Sequence, residues 1–310
     1  MSTDQCDEAV LLIGFNRPDL LADVIDRVRV VSPPRVYLAV DGARVDRPGE
    51  AARVSACQKL ASSLDWGCEV HTLFRDRNLG CGQGVSGAIT WFFEHEERGI
   101  ILEDDILADP SFFRFVSELL ERHSDDDRVF AITGTNFVPP EFQTDPTRYR
   151  FSRVPVVWGW ATWRRSWQKY RFDIEGWRTK FPRRRAWRAM GATLPANVLW
   201  SANFDMMARH AVDTWDLQLV FAGMAEGGFT ATPPVNLVEN VGFRPDATHT
   251  HRTPRYLRPA QSIALPSVPS AVEIDERADR WLMRHVYGAS IVGLAGQAVR
   301  GVRQLILRRS

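Results

Sequence analysis

Five short apolar runs, each followed by an amphipathic stretch or a polar turn, predict an α/β fold built on a mixed, mostly parallel sheet with helices on both faces. The runs carry the hydrophobicity of buried strands, and the stretches between them space apolar residues three or four apart, as helices do. A third observation points to function. The acidic triplet Glu103-Asp104-Asp105 directly ends one of the runs, and ligands of such sheets sit beyond the carboxyl ends of the strands.

AVLLIGF (9–15) reads as the first strand and NRPDLLADVIDRVR (16–29) as the helix behind it. VYLAV (36–40) is the second strand, ending in Asp41-Gly42, and a helix over about 50–64 leads to the third, EVHTLF (69–74). A glycine-rich turn follows, then a helix through GAITWFFEHEE (87–97). GIILEDD (99–105) is the fourth strand, followed by a helix from Ser111 to His123 and the strand VFAIT (129–133). Asp109 before Pro110 is an N-cap and first-turn pair for that helix. The strand ends direct attention to Asn16, Arg17, Asp41, Asn78 and Glu103–Asp105. Between about 140 and 200 the pattern gives way to aromatic and basic sequence, with six of the eleven tryptophans between Trp158 and Trp187. A second regular portion covers roughly 201–240. The stretch 254–270 holds four prolines and reads as a linker to a terminal helical segment.

Composition narrows the classes. The 310 residues are 45% hydrophobic and carry a net charge of +1, which excludes a broadly cationic nucleic-acid binder and a disordered chain. No uncharged apolar run approaches the roughly 18 residues of a membrane span. The acidic N-terminus lacks a signal-peptide pattern, and four cysteines without CxxC spacing fit neither a disulfide framework nor a zinc-thiolate site. These features predict a soluble, cytoplasmic, reduced chain.

Three adjacent carboxylates repel. At ~4 Å and an effective dielectric near 20, one such pair costs about 4 kcal/mol. A divalent cation offsets that cost, and Mg²⁺-like ions prefer carboxylate oxygen. Gly82-Gln-Gly84-Val-Ser-Gly87 spells GxGxxG, but Arg75–Leu79 separates it from the strand, unlike a dinucleotide fingerprint. Two readings remain: a flexible turn whose backbone near Gly84 approaches a nucleotide-sugar, or glycines that let a helix pack closely. Asp213-Thr-Trp-Asp216 opens a helical run, either as a capping pair or with Asp216 as a general base. His249 and His251 share one face if extended, so His249 is either a metal ligand or a solvated loop residue. Trp158-Gly-Trp160 forms a sugar-stacking surface or buries aromatic area, whereas Trp163 and Trp167, four apart, read as one helical core face.

AVLLIGFNRPDLL, VYLAVDG, RNLGCGQGVSGAITWFF, IILEDDILADPSFFRFV, VVWGWATW and TWDLQ together resemble the GT-A-fold nucleotide-sugar glycosyltransferases. The likeness is to the N-acetylglucosaminyltransferases of early complex N-glycan and O-mannose glycan synthesis, in which EDD replaces the commoner DxD. The resemblance implies a GT-A, Rossmann-like catalytic domain over 1–253, with a nucleotide-sugar-binding part (1–135) and an acceptor-binding part (136–253). It implies inverting transfer from a UDP-sugar to a hydroxyl acceptor with Mn²⁺ or Mg²⁺. Arg17 would contact donor phosphate, Asp41 the uracil or ribose, and Glu103 and Asp104 the nucleoside. Asp105 would bind the metal, Asp216 would act as base, and Trp158 and Trp160 would shape the acceptor side. The chain departs from that family where its third βα turn carries a histidine, here near Gly84, and where a second tryptophan follows the tryptophan-aspartate pair. Two rivals are a sugar-1-phosphate nucleotidyltransferase, although GFNRPD lacks that class's lysine-containing glycine loop, and a non-catalytic nucleotide-sugar-binding protein. Nucleic acid is not an expected partner.

The remaining segment, 271–310, reads as a basic amphipathic helical tail. From Arg280 to Ser310 there are six arginines and no acids. Such a tail either touches an anionic membrane face peripherally or packs its apolar side on the domain.

Overall fold

The computed structural model describes residues 6–244 and 254–290. The chain alternates β1 (Val10–Gly14), α1 (Pro18–Val31), β2 (Arg35–Val40), α2 (Glu50–Lys59), β3 (Glu69–Phe74), α3 (Gly80–His95) and β4 (Arg98–Glu103). A short strand β5 (Ile106–Ala108), helix α4 (Pro110–Arg122) and strand β6 (Val129–Thr133) complete the first half. The second half comprises β7 (Arg150–Ser152), β8 (Trp160–Trp163), α5 (Arg164–Trp167), α6 (Trp177–Lys180), α7 (Arg183–Ala189), α8 (Leu194–Ala208), α9 (Asp216–Glu226), β9 (Phe229–Thr232), β10 (Val238–Asn240) and α10 (Glu276–His285).

Eight strands form one mixed sheet in the order β3-β2-β1-β4-β8-β6-β9-β7. Strands β3, β2, β1 and β4 run parallel, whereas β8 enters antiparallel between β4 and β6. This is the mostly parallel, doubly covered sheet anticipated from the sequence. Alternation along β1 explains the covering. Val10 and Leu12 face the core under α1, α2 and α4, while Leu11 and Ile13 face the core under α3 and α9. Helix α1 buries Leu20, Leu21, Val24, Ile25, Val28 and Val31, the spacing of a single apolar stripe. Asp109 caps α4 through Ser111 N at 2.9 Å with Pro110 in the first turn, as its sequence anticipated.

Four boundaries differ from expectation. Helix α3 begins at Gly80, so Gly82, Gly84 and Gly87 lie in its first two turns rather than in a flexible turn. Helix α2 stops at Lys59 and passes into a tight 3-10 turn over Leu60–Ser63. Strand β4 ends at Glu103, and Asp104-Asp105 form the turn into β5, which pairs antiparallel with β10. Trp163 and Trp167 are both core residues but do not share a helix face. Trp163 ends β8 and joins the first core, and Trp167 ends α5 and joins the second.

A third core lies between α6, α7, α8, α9 and α10, centred on Trp200, Phe204 and Met207. The proline-bearing stretch 254–270 contains no helix and is tied along the domain rather than hanging free. Arg114 donates to Ile263 O at 2.7 Å, Gln261 N to Asn236 O at 2.8 Å, and Arg148 to Val268 O at 3.0 Å. Beyond it, Phe151 of β7 bridges Ile274, and α10 buries Ala278, Leu282 and Met283 in the third core. The start of the expected tail therefore packs on the domain, and residues 291–310 lie outside the described residues. No helix among the described residues is long and apolar enough to cross a membrane.

Candidate active site

The carboxyl ends of β1, β2 and β4 open into a cavity of about 600 Å³. That is within the range of small-molecule sites. The cavity is lined by Arg17, Asp41, Asn78, Gly84, Glu103, Asp104, Asp105, Trp158 and Asp216, which the sequence singled out from segments far apart in the chain. His249 and His251 lie outside the described residues. Asn16 and Trp160 are the exceptions. Trp160 is 1% exposed and stacks on Trp215 at 5.7 Å, so it supports the cavity-lining Trp215 from the second core instead of facing the acceptor side. Its position on β8 turns the ring inward.

The acid triplet occupies the end of β4 and the turn after it. Arg17, one residue before α1, donates through Nε to Asp104 at 3.3 Å, makes a second, shorter contact with the same carboxylate, and pairs with Asp105 at 3.0 Å. Part of the repulsion within the triplet is thus offset by Arg17, which spends its guanidinium on the acids in this state. Burial, the charges of Asp105 and Asp104, and that of Asp216 push the Glu103 carboxyl up to about 8. Burial raises Asp104 to about 6, with Arg17 opposing the rise. Gly242 lies so close to Asp105 that a side chain there would overlap the carboxylate.

Asp41 sits at the end of β2 and accepts Gly42 N at 3.0 Å, Asn78 Nδ2 at 3.0 Å and Leu79 N at 3.0 Å. Asn78 therefore holds Asp41 in place, and Gly84 leaves room for it, since a Cβ there would stand 3.2 Å from Asp41 Oδ2. Asn16 performs the same service nearby, donating to Glu50, which in turn binds Arg44.

The segment before α9 does not form the expected Asp213–Asp216 capping pair. Asp213 does not cap α9, whose N-cap is Trp215. Its carboxylate instead accepts Cys81 N at 2.9 Å and Gly82 N at 2.8 Å, capping α3 from more than a hundred residues away. Asp216 is the first residue of α9, and both of its described hydrogen bonds, from Thr214 Oγ1 and Leu217 N, fall on Oδ1. Oδ2 has no protein partner among the described residues.

Sequence reasoning passed over Arg44, Arg75 and Phe243 and read Asp213 only as a cap of its own helix; all four line the cavity. Arg75 directly follows β3, so the strand-end rule alone pointed to it. Phe243 packs edge-on to Trp158 at 5.7 Å. Cys81 lines the cavity as well, but burial and three nearby carboxylates push its thiol up to about 12, which keeps it protonated and unreactive. Among the lining residues six carboxylates face three guanidiniums. Carboxyl groups thus outnumber guanidiniums at the site.

No family model and no curated protein sequence matches the chain. Solved structures with a similar chain path include HddC from Yersinia pseudotuberculosis, 12% identical, at a TM-score of 0.34 over 56% of this chain and 87% of that one. S. aureus TarS 1-349 is 8% identical, at a TM-score of 0.40 over 74% of this chain and 59% of that one. The inositol-1-phosphate CTP transferase from T. maritima is 9% identical, at a TM-score of 0.38 over 76% of this chain and 89% of that one. These are distant likenesses of chain path.

Proposed function

We propose that the chain is an inverting, metal-dependent glycosyltransferase of GT-A type that moves a sugar from a UDP-sugar to a hydroxyl acceptor. The observation that carries this reading is one cavity holding both the strand-end acid triplet and the Asp216 carboxylate. An anionic donor diphosphate entering a site with twice as many carboxylates as guanidiniums needs additional positive charge. The hard carboxylate oxygens of the triplet suit Mn²⁺ or Mg²⁺. Asp105 would hold the ion, and among the described residues no complete three-ligand cluster of His, Cys, Asp or Glu is present. Donor phosphates would supply further ligands, as is usual for Mg²⁺-type sites. When bound, the ion supplies charge stabilisation for the departing nucleotide.

The protein's own groups divide the remaining work. Asp41, oriented by Asn78 and Leu79 N, would accept hydrogen bonds from hydroxyl or imide groups of the nucleoside. Arg75 offers a cation to the phosphates from the end of β3. Asp216 takes the acceptor proton at Oδ2 while Thr214 and Leu217 hold Oδ1, which fixes the carboxylate's direction. Trp158 and Phe243 offer aromatic faces to a sugar.

Incubation with isotope-labelled UDP-sugars, with and without Mn²⁺, tests the reading. Metal-dependent UDP release with label on a hydroxyl acceptor is expected. Pyrophosphate exchange would instead identify a nucleotidyltransferase, and binding without turnover a carrier. Asp105→Ala is expected to abolish metal-linked UDP binding in calorimetry while the circular dichroism stays unchanged. Unaltered metal-linked affinity would remove Asp105 from the metal site.

A further inference from the structure

We infer that the outward face of α7 and the start of α8 docks on an anionic lipid surface. No acidic residue occurs between positions 176 and 204, a stretch that carries Arg178, Lys180, Arg183, Arg184, Arg185 and Arg188. Ala186 is the buried residue of α7, so Arg184 and Arg188, two positions to either side, project from the opposite face. Arg183, Arg184, Arg185 and Arg188 are all exposed, and none forms an ion pair among the described residues.

Apolar side chains stand exposed beside these cations. Trp187 is 42% exposed, Leu194 68% and Val198 46%. Leu194 and Val198 are one helical turn apart on α8, and Asn197 donates to Trp187 O at 3.3 Å, which brings the two helices' exposed residues together. Arginines around a tryptophan and two aliphatic residues match the chemistry of an anionic headgroup layer over hydrocarbon.

Helices α7 and α8 both pack on α9, whose first residue is Asp216.

Cosedimentation of the full chain with phosphatidylglycerol-containing and pure phosphatidylcholine vesicles tests the inference. Binding to the anionic vesicles alone, weakening with salt, is expected. Arg184→Gln, Arg185→Gln and Arg188→Gln combined should weaken partition about 100-fold, since each arginine near an anionic surface is worth a factor of about five. Trp187→Ser with Leu194→Ser should leave binding only at low salt. All substituted residues are exposed, and circular dichroism verifies the fold. Wild-type sedimentation of the triple variant, equal binding to neutral vesicles, or displacement of the vesicles by RNA of equal charge would each overturn the assignment.

Discussion

Asp216 presents one oxygen to the protein and one to the cavity. With Asp216 in the proposed role of base, Asp216→Asn, which keeps the shape, should lower turnover by about 10² to 10⁴ with donor affinity little changed. Comparing kcat with UDP-sugar affinity in the two forms checks it, and near-normal turnover would reduce Asp216 to a helix-start residue. Glu50 shows a different use of a carboxylate. It is 1% exposed and accepts Arg44 N at 2.8 Å, Arg44 Nε at 3.0 Å and Asn16 Nδ2 at 2.9 Å. The Arg44 guanidinium foremost holds its carboxyl down to about 2, below the usual glutamate range. A folded pKa below the unfolded one adds stability that is complete above about pH 4.5 and disappears as pH falls toward 2. Melting temperature followed over that window should fall more steeply for the wild-type chain than for Glu50→Gln. At this scale the site was largely legible, because Arg17, Asp41 and the acid triplet each stand at a strand end. Trp160 was not, since a tryptophan beside a glycine looks the same in a wall and in a core.

Helix α3 is where local pattern and tertiary structure disagree. Three glycines in the six residues from Gly82 to Gly87 weaken a helix by roughly 1 kcal/mol each relative to alanine, which is why the sequence there reads as a turn. The helix forms because neighbours press on it. A Cβ on Gly82 would stand 2.8 Å from Asp213 Oδ1, 2.9 Å from Phe172 and 3.0 Å from Thr214 O. Gly82→Ala, ordinarily stabilising inside a helix, is therefore expected to cost about 1–3 kcal/mol. Denaturant titration checks the sign, and a gain in stability would mean the 213–216 segment yields easily. The substitution should also lower turnover, because the displaced segment carries Asp216. Sequence periodicity has no access to this pairing across the chain. Strand β8 escaped for another reason. It is four residues long and covered on both faces, Trp160 by one core and Trp163 by another, so it shows no polar alternation.

Over the whole molecule, the first half was readable element by element because a helix separates each of β1, β2, β3 and β4 from the next, and helices such as α1 record their own amphipathic stripe. The second half was not, because β7, β8 and β9 join the sheet through long connections and three-residue or four-residue strands. The sheet's last strand is also its most dependent. Arg150 of β7 is 6% exposed, with Asn136 Oδ1 at 3.1 Å and with Asp279 and Asp275 nearby in charge. Arg153, the residue after β7, donates through its guanidinium to Asp279 at 3.2 Å and to Glu276, both on α10, and Arg153 N donates to Asp279 at 3.0 Å.

That closure across the sheet edge sets a timetable for synthesis. Asp279 leaves the ribosome 126 residues after Arg153, a delay of about 6 to 25 s at roughly 5–20 residues per second. Until then β7 carries cations whose counter-charges do not yet exist, and the growing chain must keep them in water. The nascent protein should therefore pass through a long-lived half-folded stage, with the parallel half closed and the β7 edge open to chaperones and proteases. Chains arrested with residue 260 just outside the exit tunnel should be cut readily near β7 in limited proteolysis, whereas those arrested with residue 290 outside should resist. Equal resistance at both lengths would mean that the edge closes without α10.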